Sequence, residues 1–224
     1  MSVVGVAFDL EGTVVDFEEC HRRNWRVLGA RYGLENFDVV PRFLGVGDRL
    51  VAQELAERTQ QSVDVLLAEK KALFWEAVRR QGAIAPRESW TTVFRQLQAA
   101  GIPMAIGSLT RRESALILLD QSGLSEKFSL EQCVFAEDVA HIKPAPDVFL
   151  ETARRLGIDS HEQLVFEDSV VGVQAAVAAG SAAIAVPPYF EETAEALRAA
   201  GALGVFASWE EVGEKLEKLV GLGK

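Results

Sequence analysis

Short, wholly apolar runs recur along this chain, separated by longer stretches whose apolar positions fall at helical spacing. The first run, residues 3–8, ends abruptly in two acids, Asp9 and Glu11, with Gly12 and Thr13 close behind. A run of this length bounded by turn residues predicts a strand buried on both faces, as in a parallel sheet. The same pattern predicts strands over residues 103–106, 133–136, 163–166, 182–186 and 204–207. Between them lie helical patterns over 90–99, 110–122, from Pro144 to near Gly157, 171–179, 191–200 and 208 onward. Thr110-Arg-Arg-Glu113 and Ser208-Trp-Glu-Glu211 have the spacing of capping boxes, and Gly101, Gly123 and Gly180 stand where helices stop. Strand–helix alternation of this kind predicts an α/β fold with a central parallel sheet and helices on both faces.

One stretch breaks the alternation. Residues 18–32, 49–58 and 62–80 read as helices, the first with Trp25, Leu28 and Tyr32 at helical spacing and Gly33 as its cap. No strand is evident from residue 17 to 82. This predicts a core of residues 1–16 and 83–224 interrupted by an α-helical cap domain, 17–82.

Composition narrows the function classes. The chain has 224 residues, 49% of them hydrophobic, enough for a sizeable core. Its formal net charge of −10 argues against a general nucleic-acid binder or an anionic-membrane binder, while leaving room for one positive pocket. Cys20 and Cys133 match no metal spacing and are expected as reduced thiols. The N-terminus lacks a basic leader with a cleavage site, and no apolar run approaches a membrane span. A cytoplasmic protein is expected, as a monomer or homodimer.

Candidate chemistry lies just past the strands, where open α/β sheets place their sites. Asp9 and Glu11, two residues apart on an extended segment, can point into one crevice, where their repulsion asks for a cation or a proton. Ser108, beside Gly107 and before a helix, suits a phosphate oxygen, although an ordinary turn serine reads the same way. Lys143, before Pro144-Ala-Pro-Asp147, is either a solvated loop lysine or a cation for a carboxylate and a phosphoryl group. Glu167 and Asp168 end an apolar strand and are either helix caps or ligands of a hard cation such as Mg²⁺. In combination the set makes chemical sense. A carboxylate facing a phosphate is repelled, and a lysine with Mg²⁺ removes that repulsion, leaving Glu11 for acid–base work.

These residues resemble the haloacid dehalogenase superfamily of aspartate-nucleophile phosphotransferases. All four of its motifs have counterparts, in Asp9-Leu-Glu-Gly-Thr13, Ser108, Lys143-Pro-Ala-Pro-Asp147 and Glu167-Asp-Ser-Val-Val-Gly172. The wording is most similar to the beta-phosphoglucomutase and phosphoglycolate-phosphatase-like branch. The resemblance implies a Rossmann-like core with a helical cap and a phosphatase acting on a small phosphorylated metabolite. It implies Asp9 as nucleophile and Glu11 as general acid and base, with the Glu11 carbonyl on Mg²⁺. Ser108, Leu109 and Lys143 would hold the phosphoryl group, and Glu167 and Asp168 would complete the metal site. His21 stands where beta-phosphoglucomutase has a hinge-region histidine, and Arg49 near that enzyme's substrate arginine.

Three departures qualify the resemblance. The family usually has Asp where this chain has Glu11, although enolase-phosphatase also carries Glu. Leu44 replaces a lysine of the mutase's substrate loop, and Arg49 falls one position late. The usual Pro-Gly turn before residue 90 is replaced by Arg87-Glu88-Ser89. Two alternatives remain: a sugar-phosphate mutase, against which the missing cap cations argue, and a non-catalytic binder of phosphorylated ligands, which Glu11 invites.

Overall fold

The computed structural model describes residues 3–16, 18–37, 48–80, 84–187 and 191–221. Six strands form one sheet: β1 (Gly5–Phe8), β2 (Met104–Gly107), β3 (Cys133–Val134), β4 (Gln163–Glu167), β5 (Ala182–Ala185) and β6 (Gly204–Val205). Their spatial order is β3-β2-β1-β4-β5-β6, and every neighbouring pair is parallel. Nine helices are described: α1 (Glu18–Arg31), α2 (Asp48–Thr59), α3 (Val63–Arg80), α4 (Trp90–Ala99), α5 (Arg112–Gln121), α6 (Asp147–Leu156), α7 (Val170–Ala178), α8 (Glu191–Ala199) and α9 (Trp209–Val220). The expected α/β fold with a flanked parallel sheet is the fold observed.

The chain divides into two compact units, Met1–Asp16 with Ala83–Lys224, and Phe17–Gly82. In the first, successive strand residues point to opposite sides of the sheet, and the two sides are filled differently. One side is built from small and branched residues. Ala7, Val165, Ala183 and Ala185 of the strands meet Val148 and Phe149 of α6 and Val173, Ala175 and Ala176 of α7. Alanine on both partners lets α7 lie close to the sheet. The other side is aromatic. Phe8 stacks on Phe166 at 5.4 Å between centroids and meets Trp90 of α4 edge-on at 5.6 Å and Trp209 of α9 at 5.9 Å. All four are almost fully buried. Rings in these offset and edge geometries pack at high density without flat sandwiching.

The second unit is helical. α3 packs against both α1 and α2, around Trp25, Leu28, Phe37, Val51, Ala52, Leu55 and Leu66. A β-carbon on Gly29 would stand 2.4 Å from Phe37 Cβ, so the segment after α1 folds back onto that helix only because residue 29 has no side chain.

Two predicted helix starts differ from expectation. At α9, Ser208 accepts from the Glu211 N–H as a cap should, but the Glu211 carboxylate takes the Ala207 N–H instead of that of Ser208. At α5 the Thr110 capping box does not form. The helix begins at Arg112 with Arg111 at its N-cap and no side-chain cap. The Arg112 N–H is met by Glu137 Oε2 at 2.9 Å, which frees the Thr110 hydroxyl for another partner.

The unusual Arg87-Glu88-Ser89 turn has a structural account. Arg87 Nη1 donates to the carbonyls of Gly12 at 2.8 Å, Thr13 at 3.3 Å and Val186 at 2.5 Å, and Nη2 reaches the Pro187 carbonyl at 3.4 Å. The guanidinium thus fastens the loop after β1 to the end of β5. Ser89 takes φ 62° and ψ −8°, left-handed backbone that costs a side-chain-bearing residue about 1–2 kcal/mol. Its hydroxyl makes no cap bond to α4. Ser89→Gly is therefore expected to raise the unfolding free energy by up to about 1 kcal/mol, the relief being partly offset by glycine's freer unfolded chain. Urea denaturation of the two proteins measures it.

Candidate active site

The loop after β1 is shaped by its backbone. Gly12 has φ 84°, its N–H donates to the Val15 carbonyl at 2.7 Å, and the N–H groups of Val14 and Val15 both reach the Leu10 carbonyl. This reversal leaves Asp9 only 7% exposed at the strand end. The β1–β4 register pairs Phe8 with Phe166, so Asp9 and the Glu167-Asp168 pair emerge side by side. Parallel pairing of β1 with β2 brings Gly107 and Ser108 to the same end.

Lys143 enters from the loop before α6, just ahead of a cis peptide bond to Pro144. Its ammonium donates to Asp9 Oδ1 at 2.6 Å and to Glu167 Oε1 at 2.6 Å, with the Gly107 carbonyl at 3.4 Å. All three charged side chains are buried. Glu167 Oε2 accepts from the N–H groups of Asp168 and Ser169 and from the Ser169 hydroxyl, each at 2.9 Å. Ser169 in turn caps α7 by accepting from the Gly172 N–H at 3.1 Å. A β-carbon on Gly172 would overlap the Glu167 carboxyl at 1.8 Å, so α7 can approach it only with glycine there. Thr13 donates to Asp168 Oδ1 at 3.2 Å.

Carboxylate oxygens of Asp9, Glu167 and Asp168 lie within 4.8 Å of one another. Burial pushes Asp9 up to about 7; Lys143 opposes this, while Glu167 and Glu11 add to it. Burial likewise raises Asp168 well above the ordinary carboxylate range, with Glu167 and Asp9 acting in the same direction. Glu167 behaves otherwise. Burial works to raise it, but Lys143 and the Ser169 hydrogen bonds outweigh burial and hold it low. One ammonium therefore does not neutralise the cluster. An oxygen-only donor set with surplus negative charge fits a hard divalent cation. Both oxygens of Glu167 are engaged by protein donors, whereas Asp9 Oδ2 and Asp168 Oδ2 take no protein hydrogen bond among the described residues.

Glu11 and Ser108 border this cluster. Ser108 is 2% exposed; its N–H donates to the Val134 carbonyl, and its Oγ accepts from the Thr110 N–H at 3.1 Å. Thr110 Oγ donates to Glu11 Oε1 at 2.8 Å. Leu109 lies half-buried between them. The sequence reading gave Thr110 only a capping role and assigned none to Thr13 or Arg87, whose partners are distant in the chain.

His21 and Arg49 belong to the helical unit. His21 Nδ1 accepts from the Lys70 ammonium at 2.7 Å, and its ring stacks on Phe74 at 4.7 Å. Lys70 is 3% exposed and also pairs with Asp48, itself an acceptor from the Trp25 indole N–H. Arg49 is exposed and lies 3.9 Å from Asp64. Leu44, the other substrate-loop position, lies outside the described residues.

Comparisons with known proteins establish the family. The model of the haloacid dehalogenase-like hydrolase family matches residues 3–180. The fructose-1-phosphate phosphatase YqaB of Escherichia coli is 33% identical over 81% of this chain and 95% of its own length. A phosphorylated carbohydrates phosphatase of Thermotoga maritima is 28% identical over 89% of this chain and 92% of its own. A haloacid dehalogenase family hydrolase of Deinococcus radiodurans, solved with bound phosphate and sodium, superposes with a TM-score of 0.80 at 29% identity, covering 98% of this chain and 97% of that one. The chain belongs to the haloacid dehalogenase-like hydrolases. Among the described residues no helix is long and apolar enough to cross a membrane.

Removing the shared ammonium leaves two buried carboxylates facing each other. Lys143→Met is expected to destabilise the metal-free protein by about 3–5 kcal/mol at pH 8. The loss should shrink at pH 5, because Asp9, already raised to about 7 with Lys143 in place, is then protonated and no longer repels Glu167. Urea unfolding at the two pH values measures the difference.

Proposed function

We propose that this chain is a Mg²⁺-dependent phosphomonoesterase that acts through an aspartyl-phosphate on a small phosphorylated sugar. The observation that carries the reading is the Lys143 ammonium, held at 2.6 Å from both Asp9 and Glu167 at the end of the sheet. An anionic phosphate approaching Asp9 meets a fixed positive charge there, already desolvated and oriented.

The steps follow from the residues in place. The carboxylate of Asp9 attacks phosphorus in line with the ester oxygen, forming a P–O bond to Asp9 as the ester P–O bond breaks. Glu11, protonated at this stage, gives its proton to the departing alcohol oxygen. Glu11 then takes a proton from water, which attacks the aspartyl-phosphate, releases inorganic phosphate and restores Asp9. Ser108 and Lys143 hold the phosphoryl oxygens throughout, beside Leu109. Asp9, Asp168 and the Glu11 carbonyl would hold Mg²⁺, which would offset charge on the phosphoryl oxygens. Glu167 is assigned chiefly to orienting Lys143, since its oxygens are taken by protein donors.

The sugar-phosphate class is supported by the Escherichia coli and Thermotoga maritima relatives, a fructose-1-phosphate phosphatase and a phosphorylated carbohydrates phosphatase. We assign residues 17–82 the part of a specificity-setting cap, with His21 and Arg49 as its candidate substrate contacts. Two free cysteines, Cys20 and Cys133, suit a reducing cytoplasmic setting.

The test is phosphate release from a panel of sugar phosphates with and without Mg²⁺. Turnover should need the cation, vanish in Asp9→Asn and fall by roughly 10²–10⁴-fold in Glu11→Ala. Full activity in Asp9→Asn would overturn the mechanism. Isomerised sugar phosphate without net phosphate release would make the protein a mutase, and binding without turnover a phospho-ligand binder.

A further inference from the structure

We propose that Thr110 is a positioning residue that fixes the carboxyl of Glu11, and that this contact lets the longer acid serve at a position where its family usually has Asp. The inference rests on the proposed hydrolase reading for its catalytic consequence, but its geometry stands alone. Thr110 Oγ donates to Glu11 Oε1 at 2.8 Å across 99 residues of sequence. Glutamate has one more rotatable bond than aspartate, so its carboxyl samples more positions unless something holds it. A charge-assisted hydrogen bond is strong enough to select one of them.

Thr110 is itself unusually well held. Its N–H donates to Ser108 Oγ at 3.1 Å, and its carbonyl accepts from the Ala136 N–H at 3.3 Å. Its β-branched side chain has few χ1 choices. The donor is thus fixed by the same turn that carries Ser108, which couples the acid–base group to the phosphate-binding loop. The contact goes together with a missing side-chain cap on α5, whose N-cap position is Arg111. A Thr-x-x-Glu sequence would ordinarily spend its hydroxyl on the helix start. Here Glu137 meets the Arg112 N–H instead, and the Thr110 hydroxyl faces Glu11.

The test compares Thr110→Val and Thr110→Ser in two backgrounds, the natural chain and Glu11→Asp. With Glu11 present, Thr110→Val should lower kcat about tenfold, within the roughly 10²–10⁴-fold span of acid–base catalysis, and leave KM nearly unchanged. Thr110→Ser should recover most of that loss. In Glu11→Asp, whose shorter side chain does not reach the hydroxyl, Thr110→Val should have little effect. An equal loss in both backgrounds would show a structural role of the loop and overturn the proposal, as would unaltered kcat with Glu11 intact. Crystal structures of the natural chain and Thr110→Val give a readout independent of turnover. A single Glu11 conformer that disperses or moves in the variant supports the proposal; an unmoved Glu11 overturns it even if no phosphoester is hydrolysed. Absence of hydrolysis by the natural chain, with Glu11 displaced in the variant, would count against the phosphatase reading alone.

Discussion

The structure of the site depends on one buried ammonium shared by two carboxylates. Lys143 bridges Asp9, at the end of β1, and Glu167, at the end of β4. Removing three charges from water is costly, and mutual attraction offsets that only where geometry is close and the remaining lone pairs are satisfied. Glu167 meets this condition through the N–H groups at the start of α7, and Lys143 through both acids. Asp9 and Asp168 do not, and burial, reinforced by the neighbouring acids, raises both above the ordinary carboxylate range.

The sheet makes that arrangement possible because register and side-chain direction are linked. Phe8 and Phe166 are paired neighbours, stacked within the aromatic layer. The residue after each is an acid of the cluster. A one-residue slip would turn every side chain of the strand to the opposite face, setting Phe8 against the tightly packed alanine side. The aromatic layer and the alanine layer are therefore not interchangeable fillings, since together they permit one register, and that register places the acids.

Much of this was legible in the sequence, since buried parallel strands are short uninterrupted apolar runs and polar residues just beyond them stand out. Asp9, Ser108, Lys143, Glu167 and Asp168 do converge at one end of the sheet. Thr110 was misread because capping spacing is a local signal, and Glu137, which takes its place at α5, lies 25 residues from the Arg112 N–H it meets. Arg87 stood out only as a departure from the usual Pro-Gly turn, and its role was hidden because four backbone carbonyls brought together by folding leave no trace in side-chain pattern. Strand ends shifted by a residue or two for a similar reason. Pairing of β1 begins only where β4 can meet it, at Gly5 opposite Gln163. After β3 the chain turns away because Asp138 captures the Phe135 N–H.

The Arg87 guanidinium gives the two halves of the core a common fastener. The loop after Asp9 and the exit of β5 are remote in sequence, yet both are anchored by carbonyl groups on one side chain. Because backbone carbonyls are present whatever the side chain, the residues at 13, 186 and 187 could diverge without loosening this joint, whereas Gly12 is held by its positive φ and by the Asp168 carboxyl beside it. The arginine could not diverge. Such an anchor makes the loop's shape hereditary through a residue outside every motif, and it would escape any search conducted by motif alone.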